Sequence, residues 1–191
     1  MKNANVMVVG VGGQGTLLTS RIIGKTALGE GLDVKISEVH GMAQRGGSVV
    51  TFIRFGEKVF EPVVEEGEAD VLISFELAEA MRYAHFLKKD GIVIVNDCRI
   101  DPMTVVVGEA EYPENIVERL KAKHEVHLAE GNLIAKELGN GKVVNSAVLG
   151  AAAKFIGFDK ESWLNVLKSV VPPKTAEINE KAFLRGYGEK I

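Results

Sequence analysis

The segment "VMVVGVGGQGTLLTSRIIG", residues 6–24, is the part of the sequence most informative about the fold. A short apolar run ends in a glycine-rich turn, in which Gly10, Gly12 and Gly15 are spaced as G-x-G-x-x-G. The apolar residues that follow recur at helical spacing until Gly29 and Gly31, which are typical of a helix C-terminus. The stretch therefore predicts a strand, a tight turn and a helix, the first half of a βαβ unit.

The rest of the first two thirds alternates strand-like and helix-like segments. "ADVLISF" (69–75) predicts a strand, "ELAEAMRYAHFLKK" (76–89) a helix and "GIVIVND" (91–97) a second strand. A strand, a helix and a strand in this order imply a right-handed parallel crossover, and burial on both faces explains the continuous apolar runs. We therefore expect an α/β, Rossmann-like three-layer fold with a mostly parallel sheet.

Several segments predict departures from a purely parallel sheet. "DVKISEV" (33–39) predicts a second strand, while "SVVTFIRFG" (48–56) and "KVFEPVV" (58–64) predict an antiparallel hairpin closed by the turn "FGEK". "MTVVVG" (103–108) predicts a further strand.

The C-terminal third is predicted to be mostly helical. "PENIVERLKAK" (113–123) predicts a helix and "HEVHLAE" (124–130) a short edge strand, and helices follow from about residue 131. One of these helices is expected to begin at an Asp159 cap and to place Trp163 in the core. No linker separates these parts, so a single domain over residues 1–191 is expected.

Composition excludes several classes of function. The net charge of −3 offers no basic surface for nucleic acid. No apolar run approaches the roughly 20 residues that span a bilayer, and the first residues lack a signal-peptide pattern, so a cytoplasmic protein without a membrane segment is expected. The only cysteine, Cys98, follows a buried strand and is interpreted as a structural thiol. One thiol cannot hold an iron–sulfur cluster of the usual four-cysteine type.

The first glycine-rich turn admits two interpretations. The G-x-G-x-x-G spacing after a strand is typical of a dinucleotide-binding loop, and Glu38, at the end of the second strand, lies about where a ribose-binding acid is expected. The alternative is that the glycines only let the strand, turn and helix pack closely. The motif alone does not decide between them.

A second glycine-rich segment, "SEVHGMAQRGGSV" (37–49), carries Gly41, Gly46 and Gly47 around Gln44 and Arg45. It is too polar to continue a buried strand and is predicted to form a loop beside the first turn, at the edge where open α/β sheets bind ligands. Arg45 suits a carboxylate or another anion, and His40 supplies a titratable donor. A merely solvated arginine is the alternative.

Together, "GVGGQGTLLTSRIIG" and "SEVHGMAQRGGSVVTFIRFG" resemble the gamma-type subunit or domain of the 2-oxoacid:ferredoxin oxidoreductase family. The segment "EVHGMAQRGGSV" is most similar to the corresponding segment of the indolepyruvate members. Pyruvate and 2-oxoglutarate members tend to carry a Gly-Pro-Glu type of loop before Arg-Gly-Gly. The resemblance covers the whole chain in length and element order, but its specific motifs lie in residues 8–56.

The resemblance implies a role in an enzyme that decarboxylates a 2-oxoacid on thiamine diphosphate, passes electrons through iron–sulfur clusters to ferredoxin and forms acyl-coenzyme A. This chain has no Gly-Asp-Gly thiamine diphosphate signature and one cysteine. The resemblance therefore implies a subunit that binds no cofactor itself and pairs with a larger alpha-type subunit, which would carry thiamine diphosphate and 4Fe-4S clusters. An isolated chain could instead form a homodimer through the face left without its partner.

Under this interpretation the two loops form part of the subunit interface and line the approach of substrate or coenzyme A. The expected loop residues are Gly10, Gly12, Gly13, Gln14, Gly15, Glu38, His40, Gly41, Gln44, Arg45, Gly46 and Gly47. The catalytic residues are not identified. The alternatives are a gamma subunit for pyruvate or another 2-oxoacid, a stand-alone NAD- or FAD-binding Rossmann protein, and a nucleotide-sensing or structural module.

The remaining histidines give no strong pattern. His85 is interpreted as a packing or surface residue, because no second ligand has a suitable spacing. His124 and His127 would share one face of a strand and could bind a metal, but the sequence offers no further ligand. No metal site is predicted.

Overall fold

The computed structural model describes residues 3–41, 43 and 46–189. Its centre is a six-stranded sheet with the order β2-β3-β1-β4-β5-β6. The strands span Ala4–Val11 (β1), Asp33–His40 (β2), Ser48–Gly56 (β3), Ala69–Ser74 (β4), Leu87–Asn96 (β5) and Glu125–Ala129 (β6).

The sheet is mostly parallel, as predicted. β1, β4, β5 and β6 pair in parallel, with Val6 opposite Val71 and Ile92 opposite Glu125. β3 is antiparallel to both β1 and β2, so β2 runs in the same direction as β1. The carboxyl ends of five strands therefore lie at one edge of the sheet.

Helices cover both faces, which confirms the three-layer α/β architecture. The helices span Thr16–Gly29 (α1), Leu77–Tyr83 (α2), Met103–Val106 (α3), Ile116–Lys121 (α4), Gly131–Glu137 (α5), Val144–Ile156 (α6), Lys160–Val170 (α7) and Ala176–Tyr187 (α8). α1, α6, α7 and α8 pack on one side of the sheet or on each other, and α2 and α4 pack on the other. Among the helices described, none has the length and apolarity needed to cross a lipid bilayer.

Strand β1 shows why the central strands are apolar throughout. Val6 and Val8 point into the core beneath α1 and α6–α8, whereas Met7 and Val9 point into the core beneath α2 and α4. Successive side chains of a strand face opposite sides, so a strand covered on both faces needs apolar residues at every position. Trp163 is fully buried in the first core, as predicted.

The antiparallel hairpin exists, but its strands differ from those predicted. β3 forms the antiparallel hairpin with the preceding strand, β2, and the glycine-rich segment 41–47 connects the two. Residues 58–64 form no strand. Pro62 lacks an N–H donor and Phe60 is 83% exposed, so this segment offers no ladder to the sheet, and only Val64 at its end is buried in the core beneath α2 and α4.

Two further boundaries differ from the sequence predictions. "MTVVVG" is not a strand: α3 is a single turn that begins after Pro102, and Met103 and Val106 are exposed. The helix after β4 ends at Tyr83 and continues as a 3₁₀ turn over 84–86, so Leu87 already belongs to β5. Asp159 does stand at the N-cap of α7, but its side chain makes no capping hydrogen bond.

Candidate functional site

The first glycine loop, residues 10–15, joins the carboxyl end of β1 to the N-terminus of α1. Gly13 and Gly15 have φ angles of 104° and 88°, a region that glycine adopts without a steric cost. Gly15 is the N-cap of α1, and a Cβ there would lie 2.6 Å from Asn145 Nδ2. The turn therefore requires glycine at position 15 for both conformation and space.

The side chain of Gln14 folds back over this loop. Its Oε1 accepts a hydrogen bond from the Val11 N–H at 2.7 Å, and its Nε2 donates to the Phe75 carbonyl at 3.1 Å. A Cβ on Gly10 would lie 2.8 Å from Gln14 Oε1. Gln14 thus occupies the space above the first glycine and ties the loop to the end of β4.

A buried polar chain continues from Phe75 across the carboxyl edge. The Phe75 carbonyl also accepts from Asn96 Nδ2 at 3.3 Å, and Asn96 Oδ1 accepts from the Gly131 N–H at 3.0 Å. Asn96 is fully buried, so these bonds satisfy an amide that would otherwise destabilise the fold. The chain links the first loop to β4, β5 and the start of α5.

The end of the second glycine loop (41–47), at Gly46 and Gly47, lies directly against the first loop. The Gly12 N–H donates to the Gly47 carbonyl at 2.8 Å, and the Gly46 N–H faces the Gly12 carbonyl at 3.5 Å. Gly46 has a φ of 78°, and a Cβ on Gly47 would lie 2.5 Å from the Ala43 carbonyl oxygen. The predicted Gln44 and Arg45 lie outside the described residues, as does Met42.

Ser48, the residue after the second loop, fixes that loop to α2. Its hydroxyl donates to the Glu79 carboxylate and lies 3.2 Å from the Tyr83 hydroxyl. Glu79 is buried and also accepts from Arg82 Nε at 3.0 Å. The second loop is therefore held on one side by a backbone pair and on the other by a carboxylate.

A cleft of about 380 Å³ opens between the first glycine loop, the N-terminal turn of α1 and the adjoining ends of β2 and β3. Its lining residues are Gly12, Gly13, Gly15, Thr16, Leu17, Glu38, His40 and Val49. Glu38 accepts a hydrogen bond from Thr51 Oγ1 at 3.1 Å, and His40 is exposed with Nδ1 3.0 Å from the Gly41 carbonyl. The structure thus brings Gly12, Gly13 and Gly15 of the first loop together with Glu38 and His40, whereas none of the described residues of the second loop lines this cleft.

The position of β3 changes the expectation for Glu38. In a dinucleotide fold the second strand lies next to the first, whereas here β3 is inserted between β1 and β2. Neighbouring strands are about 4.8 Å apart, so β2 lies about 10 Å from β1. Together with Gln14 above Gly10, this arrangement weighs against a dinucleotide bound in the usual way.

A second hollow of about 370 Å³ lies on the other side of the first loop. Gly13, Gln14 and Gly15 form one wall, and Asn132, Lys142 and Asn145 from the C-terminal region contribute polar groups. Sequence reasoning missed these three residues, because nothing in the spacing of a helical segment shows that its first turn meets a loop some 120 positions earlier.

A buried acid lies behind the site, at the end of β4. Glu76 accepts hydrogen bonds from the Glu79 N–H at 2.9 Å, the Ile100 N–H at 3.2 Å and the Tyr112 hydroxyl. The Arg99 guanidinium lies 4.2 Å from the centre of the Tyr112 ring. Burial and the hydrogen bond to Glu76 raise the pKa of Tyr112 above its usual value, so this phenol stays protonated, and remains a donor, well into the alkaline range.

The cysteine and the remaining histidines lie apart from one another. Cys98 is half-buried, with its Sγ 4.0 Å from Gln14 Nε2. His85 lies 3.6 Å from Glu66, and His127 contacts Glu125 at 2.6 Å. Over residues 3–41, 43 and 46–189, no three His, Cys, Asp or Glu side chains converge as a metal ion would require.

Comparison with known sequences gives matches along almost the whole chain. A family model described as pyruvate ferredoxin/flavodoxin oxidoreductase matches residues 5–189. Indolepyruvate oxidoreductase subunit IorB of Thermococcus kodakarensis is 42% identical, with 97% of this chain and 95% of the relative covered. The protein of the same name from Archaeoglobus fulgidus is 41% identical, with 98% and 95% covered.

Solved structures show the same fold at lower identity. The keto/oxoacid ferredoxin oxidoreductase gamma subunit of Geobacter sulfurreducens has a TM-score of 0.70 at 23% identity, with 96% of each chain covered. A 2-oxoglutarate:ferredoxin oxidoreductase of Magnetococcus marinus has a TM-score of 0.75 at 18% identity. That match covers 98% of this chain and 31% of the larger one.

Proposed function

Because the chain belongs to the pyruvate ferredoxin/flavodoxin oxidoreductase family, we propose that it is the small, non-cofactor-bearing subunit of a heteromeric 2-oxoacid:ferredoxin oxidoreductase. The reaction is the oxidative decarboxylation of indolepyruvate and other arylpyruvates to acyl-coenzyme A, with the electrons passed to ferredoxin. The identity of 38–42% to relatives named indolepyruvate oxidoreductase subunit IorB supports this substrate class.

The cofactors belong to a larger alpha-type partner in this proposal. Cys98 is the only cysteine of the chain, so these residues do not fit a four-thiolate cluster. The sequence also lacks the Gly-Asp-Gly signature of a thiamine diphosphate site. Thiamine diphosphate and 4Fe-4S clusters are therefore assigned to the partner, and the small chain contributes a wall of the assembled active site.

The observation that carries the proposal is the backbone pairing of the two glycine loops at the carboxyl edge. Gln14 of the first loop and Ser48 after the second are held by hydrogen bonds from behind, while Glu38, His40 and the glycines of the first loop face an open cleft. A surface that presents glycine backbone, a carboxylate and an imidazole beside Leu17 and Val49 suits contact with a partner and with an anionic substrate or coenzyme A. The N-terminus of α1 directs the positive end of the helix dipole toward the same cleft.

The decisive experiment is anaerobic affinity purification of the chain from its host, followed by an assay of the eluate. We expect a larger partner with iron and thiamine diphosphate, and coenzyme A-dependent reduction of ferredoxin or a viologen dye by indolepyruvate. Faster turnover of pyruvate would transfer the proposal to a pyruvate-type enzyme, since the pyruvate/ketoisovalerate gamma subunit of Pyrococcus abyssi is also 32% identical. A chain that purifies alone and binds NAD or FAD tightly would contradict the subunit role.

Arg45 provides a test of the ligand role of the second loop. Arg45→Ala removes a group suited to a carboxylate or phosphate, so we expect a raised KM for the 2-oxoacid or coenzyme A, or a lowered kcat, in the assembled enzyme. Arg21→Ala, which removes an exposed arginine on α1, is the matched control and should leave the kinetics unchanged. Unchanged kinetics for Arg45→Ala would remove the ligand role while leaving assembly intact.

A further inference from the structure

A separate cavity of about 500 Å³ lies at the amino edge of the sheet, opposite the glycine loops. One wall comes from the end of α2, the 3₁₀ turn that follows it and the first residue of β5. The other wall comes from the end of α4 and the residues that lead into β6. The lining residues are Met81, Ala84, His85, Leu87, Arg119, Leu120, Ala122, Lys123 and His124.

The floor and rim of this cavity, which we call the amino-edge pocket, differ in chemistry. Met81, Leu87 and Leu120 belong to or pack against the core beneath α2 and α4, and they give the pocket an apolar floor. Arg119 and Lys123 are exposed at the rim. A volume of this size falls in the range of small-molecule sites, which are about 300–1,000 Å³ and mostly apolar with a few polar groups.

The charges at the rim are not neutralised from within the chain. In the part of the chain that the structure describes, neither Arg119 nor Lys123 forms an ion pair, although Glu118 adjoins Arg119 in sequence. His85 faces Glu66. The His124 Nδ1 is buried without a hydrogen-bond partner, and burial lowers the pKa of this ring. The rim thus presents two cations and an unsatisfied imidazole beside an apolar floor.

We propose that the amino-edge pocket binds a small carboxylic acid that carries an apolar group, with the carboxylate at Arg119 and Lys123 and the apolar group on Met81, Leu87 and Leu120. A neutral apolar molecule would leave the two cations unpaired, and a small inorganic anion would leave the floor exposed to water. The pocket lies at the opposite edge of the sheet from the glycine loops, so this site is independent of the proposed function.

The test uses phenylacetate and hexanoate with the full chain, by calorimetry and by NMR of the imidazole protons. The chain has four histidines, so His85 and His124 should shift on titration while His40 and His127 stay unchanged. For ligands of about ten heavy atoms, the usual ligand efficiency predicts dissociation constants in the millimolar range, on the order of 1–10 mM. Tighter binding of phenylacetate would identify an aromatic acid as the occupant, and tighter binding of hexanoate an aliphatic one.

Three variants and one ligand define the controls. The double variant Arg119→Ala and Lys123→Ala should weaken binding about tenfold, which corresponds to the loss of a charge-assisted contact. Ala122→Trp should block the pocket without touching the core, because Ala122 is exposed. Lys121→Ala removes an exposed cation on the same helix that does not line the pocket, and it should bind as the original chain does.

2-Phenylethanol, which has the ring but no carboxylate, should bind more weakly than phenylacetate. The proposal is overturned if neither acid shifts His85 and His124, or if the double variant and Lys121→Ala bind equally well. Equal binding of 2-phenylethanol and phenylacetate would also overturn it, because the cations would then contribute nothing.

Discussion

Gln14 shows how a single side chain decides what a glycine-rich turn can do. In the sequence it is one polar residue among glycines, yet its amide closes the turn by accepting from Val11 and donating to Phe75. The same amide fills the space above Gly10. A G-x-G-x-x-G pattern therefore describes a backbone geometry, while the intervening residues determine whether that geometry is open to a ligand.

Replacing Gln14 with alanine should destabilise the chain. The Val11 N–H would lose its acceptor, whereas the Phe75 carbonyl would keep the bond from Asn96, so we expect a loss of about 1–3 kcal/mol in the free energy of unfolding. Urea denaturation measures this loss. Lys142→Ala, in the hollow on the other side of the loop, is the control and should change stability by less than about 0.5 kcal/mol. Equal stability of both variants would show that water replaces the amide.

Tyr112 gives a pH-dependent prediction. Its pKa is raised in the folded chain from the usual 10.0, so the unfolded chain loses this proton first as the pH increases. The stabilisation from the hydrogen bond to Glu76 is therefore complete below about pH 10 and is lost as the pH rises through the higher folded pKa.

Tyr112→Phe tests this directly. At pH 8 we expect the variant to be less stable by about 1–3 kcal/mol, because the Glu76 carboxylate loses a donor. The difference from the original chain should shrink between pH 10 and 11, as followed by urea denaturation across the pH range. A constant difference would mean that the phenol ionises equally well in the folded and unfolded chains, and a growing one that folding favours its ionised form; either would contradict the raised pKa.

Among the helices and strands, the sequence predicts best those whose burial imposes a local period. β1, β4 and α7 were correctly predicted, because burial on both faces makes the two strands continuous apolar runs and burial of one face gives α7 a helical period. The second half of β5 was predicted for the same reason, but not its start at Leu87. The short turn "FGEK" led to the wrong prediction that residues 48–56 pair with residues 58–64. The pairing of a strand depends on the packing of the whole sheet, and not only on the shortest connection along the chain. β3 is apolar on both faces because Ile53 and Phe55 pack into the first core while Val50 and Phe52 pack into the second. Its place between β1 and β2 is visible only in the three-dimensional order of the strands.

The position of the candidate site was predicted in part, where a general rule of sheet topology applies, and missed where it depends on distant segments. Loops at the carboxyl edge of a parallel sheet lie close together, and this rule predicted that the two glycine loops are neighbours. The hydrogen bond between Gly12 and Gly47 agrees with that prediction. The contacts of Asn145 with Gly15, and the burial of Glu76 behind Tyr112, depend on distant segments and leave no local period. The role of the loop residues in ligand binding stays a prediction.

Two helices of the C-terminal region meet through glycines, which leads to a prediction about their packing. A Cβ on Gly150 in α6 would lie 2.0 Å from the Phe183 carbonyl oxygen, and a Cβ on Gly186 in α8 would lie 1.9 Å from that of Ala147. Gly150→Ala must separate the two backbones, so we expect a loss of about 2 kcal/mol or more despite the better helix propensity of alanine.

The matched control is Gly29→Ala at the end of α1, where an added Cβ meets nothing within 4 Å. It should stabilise the chain by about 0.5–1 kcal/mol in the same thermal or urea denaturation. Opposite signs for the two glycine-to-alanine changes would confirm that α6 and α8 touch backbone to backbone. A stabilising Gly150→Ala would show that the helices can move apart at little cost.

The whole molecule is organised by one sheet that serves two cores. Val6 and Val8 face one core while Met7 and Val9 face the other, so the same backbone supports the packing beneath α1 and α6–α8 and beneath α2 and α4. Loss of either core would leave one face of β1 and β4 exposed to water. We therefore expect the chain to unfold as a single cooperative domain, with both cores lost together.

The chain's own aromatic residues can test this cooperativity. Trp163, the only tryptophan, is buried in the first core, and Tyr187 packs against it. Tyr83 and Tyr112 pack against the second core. With 3-fluorotyrosine incorporated, these tyrosine resonances and the Trp163 fluorescence should lose their native signals at one urea concentration, because no core can persist without the shared strands. Separate midpoints for Tyr83 and Tyr112 on one side, and for Tyr187 and Trp163 on the other, would show that the two faces unfold independently.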